Sequence, residues 1–208
     1  VPSLLALACA PLIQATLVRM QQHSSLDEAR QLARHALRLA CLLLPFAALV
    51  SGAAGAIATL LSGPGYAGAA PVLARLILAS IAGVVVAVSA AILVGFDQPR
   101  WTVAIAMPML LVAVILLAWI VPVYGARGAA SVTLGCGALA ASASLGVVSF
   151  GCKVTLPFLS LFRSVVVAMA AYAAATFMEP PWLVPKLALL TLAIPVTLIL
   201  LGEFSRQE

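Results

Sequence analysis

Carboxylates and histidines are scarce in this chain. Six acidic side chains and two histidines occur among 208 residues. The acids are Asp27, Glu28, Asp97, Glu179, Glu203 and Glu208, and all fall at or near the ends of apolar runs. Both histidines, His23 and His35, fall in one connecting segment. General acid–base catalysis needs such groups converging in a pocket, and proton or sodium coupling usually places a carboxylate inside the membrane. An enzyme is therefore not expected, nor an intramembrane ion site in this part of the protein. Cysteine is equally sparse: Cys9, Cys41, Cys136 and Cys152 form no CxxC pair and have no His or acid at metal-ligand spacing. They read as small buried apolar residues, with no disulfide, metal site or cofactor expected.

Charge as a whole is short, at 8% of residues, where a soluble domain carries about a quarter. Hydrophobic residues make up 64% of the chain and the mean hydropathy is +1.20. A molecule of this composition could not cover its own surface in water, whereas lipid is a solvent that suits it. The expected fold is all-α: a polytopic transmembrane helix bundle of about seven spans, the first truncated, forming a single membrane domain over residues 1–208. The expected spans are Val1–Val18, Ala36–Leu61, Ala70–Phe96, Trp101–Pro122, Gly128–Phe150, Leu156–Met178 and Leu183–Phe204. Val1–Val18 has neither a basic segment before it nor a small-residue cleavage site after it. It reads as the tail of a helix, with the N-terminal part of a longer protein missing. Connections after the second span are short, so consecutive helices are expected to be antiparallel neighbours.

The one long connection, Arg19–His35, itself looks helical. Ser25 and Glu28 form an S-x-x-E capping box that starts a helix near Leu26. Asp27 and Glu28 occupy its first turn, where the helix dipole favours acids. Arg30, Arg34 and Arg38 recur every four residues and so share one face. The helix is expected to run straight into the second span.

Basic residues orient the bundle. One side receives Arg19, Arg30, Arg34, Arg38, Arg100, Lys153 and Arg206, with Arg163 nearest to it; the other receives Arg127 and Lys186, with Arg75 nearest. The richer side is cytoplasmic by the positive-inside rule. Loops Ser62–Ala69, Val123–Arg127 and Glu179–Trp182 then face outward and carry Tyr66, Tyr124 and Trp182 as interfacial aromatics. The C-terminus, Ser205–Glu208, is placed in the cytoplasm.

Few residues inside the spans could carry function. Pro45, Pro108 and Pro195 each remove a backbone donor, which makes them kinks or hinges. Small residues, among them Gly52, Gly55, Ala56, Ser131, Gly135, Gly137, Ala141 and Ser142, allow helices to approach closely. Arg75 and Arg163 each lie one to two turns inside a span. They either snorkel to the nearer interface or face a cavity and bind an anionic group such as a phosphate. The Arg30/Arg34/Arg38 face is either an anchor on anionic lipid or a cationic surface that admits an anionic lipid head group.

Several segments resemble a known family. Val121-Pro-Val-Tyr-Gly-Ala-Arg-Gly-Ala-Ala130, followed by Ser131-Val-Thr133, is similar to a short outward loop leading into a small-residue helix in polysaccharide (lipid-linked oligosaccharide) flippases. These belong to the multidrug/oligosaccharidyl-lipid/polysaccharide exporter superfamily. Gly65-Tyr66-Ala-Gly-Ala-Ala-Pro71-Val-Leu73 resembles their loop before the next helix, and Gly95-Phe-Asp-Gln-Pro-Arg100 their short cytoplasmic turn. The arginine-rich connection followed by a span interrupted at Pro45 fits as well. Together these segments cover most of the chain and match the C-terminal half of such a protein.

The resemblance implies one lobe of a two-lobed transporter that rocks around a central cavity. It implies alternating-access flipping of a polyprenyl-diphosphate-linked oligosaccharide across the bacterial inner membrane. Membrane lipids, that lipid-linked substrate and the missing N-terminal lobe are the expected partners, with no nucleic acid among them. Two other readings stand beside it. A drug/cation antiporter of the same superfamily would need an acidic cavity site. An O-antigen ligase or polymerase would show a large outward loop with arginines and histidines, and every expected outward loop here is short.

Overall fold

A computed structural model describes residues 15–16, 26–152, 154, 158–176 and 191–195. Among these the backbone is almost entirely helical, with no strand. The named helices are α1 (Leu26–Leu42), α2 (Leu44–Gly52), α3 (Ala54–Ser62), α4 (Ala70–Gly95), α5 (Pro99–Gly151) and α6 (Phe158–Thr176), with a 3-10 turn over Pro64–Ala69. Three stretches are long and apolar enough to cross a membrane: Asp27–Gly52, Ala70–Gly95 and Pro99–Gly151. The expected spans Val1–Val18 and Leu183–Phe204 lie largely outside the described residues.

Helix α1 begins at Leu26 with Asp27 and Glu28 in its first turn, where the capping signal places it. Ser25 itself lies outside the described residues. Asp27–Gly52 runs as one membrane-length helical stretch, as expected, interrupted only at Leu43, which keeps helical dihedrals (φ −75°, ψ −17°), and Pro45 sits in the first turn of α2. Proline has no N–H for the carbonyl four residues back and its ring crowds that carbonyl, so the hydrogen-bond ladder is interrupted just upstream. A second irregularity at Ala53 (φ −83°, ψ 2°) separates α2 from α3, although Ala53 N–H still donates to Leu49 O at 3.1 Å. The sequence pattern gives no warning of it beyond Gly52 and Gly55, poor helix formers on either side. Gly63, at φ 86°, ends α3 in a conformation open to glycine.

The chain divides into two compact units, Val1–Ala40 with Ala79–Pro157, and Cys41–Leu78 with Phe158–Glu208. The second unit is built on a close crossing of α2 and α6. A methyl group on Gly52 would stand 2.7 Å from both Ala175 Cβ and Tyr172 O. Leu49, Ala53, Val167, Ala171, Ala175 and Ile194 form its core, flanked by Phe46 and Ile57. Close approach through small residues gains dispersion contacts, which is what holds helices together when their surroundings are themselves apolar. Ser51 Oγ donates to Ala74 O at 3.1 Å, and a methyl on Gly55 would lie 3.8 Å from Ala70 Cβ. Residues 51 and 55 thus pair with 74 and 70, which makes the start of α4 antiparallel to α2 and α3, as the short connection requires.

The first unit contains α5, which folds back on itself. At ~1.5 Å per residue a straight helix over Pro99–Gly151 would be more than twice as long as a ~30 Å hydrocarbon layer is thick. Its dihedrals are broken at Gly125 (φ 57°, ψ −141°), a region that residues with a Cβ avoid. A methyl on Gly128 would meet Ile120 Cγ2 at 2.7 Å, whereas residues eight apart on a straight helix are separated by ~12 Å. At the other end Trp101 lines one groove with Gly146, Val147, Phe150 and Gly151. Positions 120 and 128, then 101 and 147, therefore face each other along one antiparallel hairpin. The expected five-residue loop Val123–Arg127 shrinks to a turn centred on Gly125.

The two arms differ in cover. No residue from 99 to 127 is buried, and Met107, Leu110, Leu111, Val114, Ile115 and Trp119 are all exposed. The second arm buries Gly128, Val132, Cys136, Ala141, Ser144 and Val148, a helical stripe. Its hydroxyls satisfy themselves locally: Ser131, Thr133, Ser142, Ser144 and Ser149 each donate to a carbonyl three or four residues back. Such bonding lets polar residues sit in a helix with no water to serve them.

Candidate functional site

Helix α1 carries three of the residues singled out by spacing. Ala29, Ala33 and Leu37 are fully buried and make one stripe. Arg30, Arg34 and Arg38 each follow a stripe residue by one position, about 100° around the helix, and are half-buried. Asp27, Glu28, Gln31, His35 and Leu39 occupy the exposed side. The three arginines thus line the border between buried and exposed faces, where an aliphatic stem can lie on apolar surface while the guanidinium reaches outward. Arg30 Nη1 bonds Asp27 Oδ1 at 2.9 Å, while its Nε is buried without a hydrogen-bond partner. Arg38 is engaged in an interaction of its own. The three arginines thus lie along one side of α1, with Arg30 ion-paired to Asp27.

Cys152 lies just past the end of α5, buried and with a free thiol. Burial pushes its pKa up, and the positive charge of Arg30 opposes part of that shift. The same unit therefore brings the C-terminal end of α5 within electrostatic reach of the arginine face. Nothing in the spacing of residues 30 and 152 foretells this. Cys41 and Cys136 are likewise buried with free thiols, and Cys9 lies outside the described residues.

Arg75 and Arg163 both fall in the second unit, Arg75 in the second turn of α4 and Arg163 in the second turn of α6. Each is half-buried, and each is already engaged in an interaction. Neither is a bare charge awaiting a ligand. Ser164, beside Arg163, is fully buried and its Oγ has no hydrogen-bond partner.

The prolines behave differently from one another. Pro45 is buried at the helix break described above. Helical dihedrals continue through Pro108, which is exposed, and the stretch is interrupted at Gly125 instead. Pro195 is half-buried at the end of the helical residues 191–195. Lys153, Arg19, Lys186 and Arg206 lie outside the described residues. The described acids, Asp27, Glu28 and Asp97, are all exposed, and no cluster of metal-ligating residues occurs among the described residues.

No protein-family model, curated protein or solved structure matches this chain.

Proposed function

We propose that this chain is one lobe of a membrane transporter that flips a polyprenyl-diphosphate-linked oligosaccharide across the bacterial inner membrane by alternating access. The observation that carries the reading is helix α1, an arginine-faced helix that leads into a span whose hydrogen-bond ladder is interrupted just before Pro45. A large sugar and a diphosphate cannot cross ~30 Å of hydrocarbon unaided. Cationic side chains at the membrane border would gather the diphosphate, and a broken span gives the bundle a place to bend. The apolar, uncovered first arm of α5 supports a lipid-facing surface. On this reading the bundle has about seven spans, counting both arms of α5, with the Arg30/Arg34/Arg38 face and the C-terminus in the cytoplasm. Arg75 and Arg163 are the candidate diphosphate ligands within the lobe, with Pro45, Pro108 and Pro195 as the flexing points.

Depleting the protein in its host tests the reading. Lipid-linked oligosaccharide should accumulate on the cytoplasmic leaflet while surface polysaccharide falls. Normal surface glycan with no accumulated intermediate would refute transport of this substrate. At residue level, Arg75→Ala and Arg163→Ala should reduce export, and Arg75→Lys and Arg163→Lys should recover part of it. Unchanged export in all four variants removes these arginines from the substrate path.

A further inference from the structure

We propose that α3 and the 3-10 turn after it, residues 54–69, form a flap that swings on the second unit about a hinge at Ala53–Gly55. The inference needs only the packing within that unit, and so stands apart from the transported substrate. The chain enters the hinge from a fixed base. Gly52 lies too close to Tyr172 O and Ala175 Cβ to admit a methyl group. Leu49 and Ala53 share a core with Val167, Ala171 and Ala175 of α6, and Ser51 Oγ ties α2 to Ala74 O of α4. Past Ala53 the partners change. Among the described elements the main contact of α2 is α6, whereas that of α3 is the 3-10 turn. Ala56 and Ile57, next to the hinge, still reach the core, while Leu60 and Leu61 farther out are exposed.

The hinge is a matter of backbone. An α-helix holds ψ at about −42°, and Ala53 stands at 2°. Leu43, beside Pro45, is at −17°, so the larger departure in this stretch belongs to an alanine and not to the proline. Hydrogen bonds carry through the bend: Ala53 N–H donates to Leu49 O at 3.1 Å and Ile57 N–H to Ala53 O at 2.9 Å. A bend of this kind can change without stranding a backbone group where no water serves it. Gly55 follows, with no Cβ to restrict its backbone and only the 3.8 Å approach to Ala70 Cβ where one would stand. At the far end the 3-10 turn passes into α4 at Ala70, and Pro71 has no N–H to bind the two together. Between these ends the flap is bonded to itself. Gly63 N–H donates to Thr59 O at 3.0 Å and Tyr66 N–H to Gly63 O at 3.1 Å. Thr59 Oγ1 donates to Gly55 O at 3.1 Å and Ala56 O at 3.0 Å, back-bonding that favours a bent helix. One internally tied piece thus joins a clamped base through two loose ends.

Distances between spin labels test the swing. Val50 on α2, Leu61 on α3 and Met169 on α6 are all exposed and lie in the same unit. In the full chain freed of its own cysteines and held in lipid bilayers, Val50→Cys with Met169→Cys measures the base. Leu61→Cys with Met169→Cys measures base to flap. Double electron–electron resonance should give one narrow distribution for the first pair. The second should show two maxima ~5 Å apart, the travel at the tip of a nine-residue helix swung by the ~20° of a sharp kink. Gly55→Ala, which has room for its methyl group, should collapse the two maxima to one and leave the first pair unchanged. A single narrow distribution for both pairs means a static bend and overturns the proposal. Equal broadening of both pairs means a loose unit and overturns it as well. Two maxima that persist in Gly55→Ala remove the hinge from this position. The comparison of the two pairs uses the unaltered hinge, so it decides the proposal even if Gly55→Ala fails to insert.

Discussion

At Gly52 there is no room for a methyl group. The backbone oxygen of Tyr172 and the Cβ of Ala175 both lie 2.7 Å from where one would stand, and backbone cannot swing aside as a long side chain can. Gly52→Ala should destabilise the chain by ~1–3 kcal/mol, the usual cost of overpacking. Gly55→Ala, with only an ordinary contact to Ala70, should be close to neutral; thermal unfolding in detergent compares the two. Asp97 makes the opposite case. It holds φ 58° at the end of α4, with the paired hydrogen bonds of a helix terminus that normally takes glycine. Asp97→Gly should stabilise by up to about 1 kcal/mol, less what glycine adds to the entropy of the unfolded chain. Cys152 adds a pH dependence. Its raised pKa means the fold favours the neutral thiol. That contribution is complete below the ordinary thiol range and is lost as pH rises through the raised value. Iodoacetamide labelling of a chain whose other cysteines are alanine should therefore have an alkaline midpoint. Arg30→Gln, which removes the opposing charge, should move that midpoint higher still.

At the scale of elements, breaks matter more than helices. Two kinds occur, one set by proline and one by glycine. Pro45 forces the α1–α2 interruption through a missing donor and a crowded carbonyl, and any reader of the sequence can place it. Pro108 has the same chemistry, yet α5 is not interrupted there, and at Pro45 only the hydrogen-bond ladder is lost, since Leu43 keeps helical dihedrals. The α5 turn depends on one residue in a conformation that a Cβ disfavours. Replacing Gly125 with alanine should strain the hairpin by ~1–3 kcal/mol. Oxidative cross-linking of Trp101→Cys with Val147→Cys measures the register. The pair should bridge readily in an otherwise cysteine-free chain, and the bridge should form more slowly when Gly125→Ala is added. Failure to bridge at all would mean the arms do not run back along each other.

For the whole molecule, alternation of helix direction is the testable property. On the proposed orientation the loops over 62–69 and 123–127 face outward and the turn at Asp97 faces the cytoplasm. Single cysteines at 65, 97 and 127, probed with a membrane-impermeant maleimide on intact cells, should label at 65 and 127 and stay silent at 97 until the cells are opened. Labelling of all three in intact cells would refute an ordered membrane passage. How much of this was legible beforehand depended on range. Helix content, membrane-length apolar runs, the start of α1, the arginine face and the turns near 63 and 125 are local patterns of hydropathy, glycine and proline. The Gly52 crossing and the approach of Cys152 to Arg30 each depend on a residue far along the chain, and no spacing rule connects them.

The sequence by itself pointed to a helical backbone, because its apolar residues come in continuous runs of membrane length rather than in the alternating pattern of a barrel strand. It determined several of the helix ends, those near Pro45, Gly63 and Gly125, since proline and glycine act on their own neighbours. Only the tertiary structure decided which small residues are contacts and which are idle. Gly52, Gly128 and Gly137 meet another part of the chain, while Gly135 and Gly146 face open space. The physical reason is that dispersion falls off within a few ångströms. A close contact exists only where two backbones have already been brought together, and neither residue carries a record of the other.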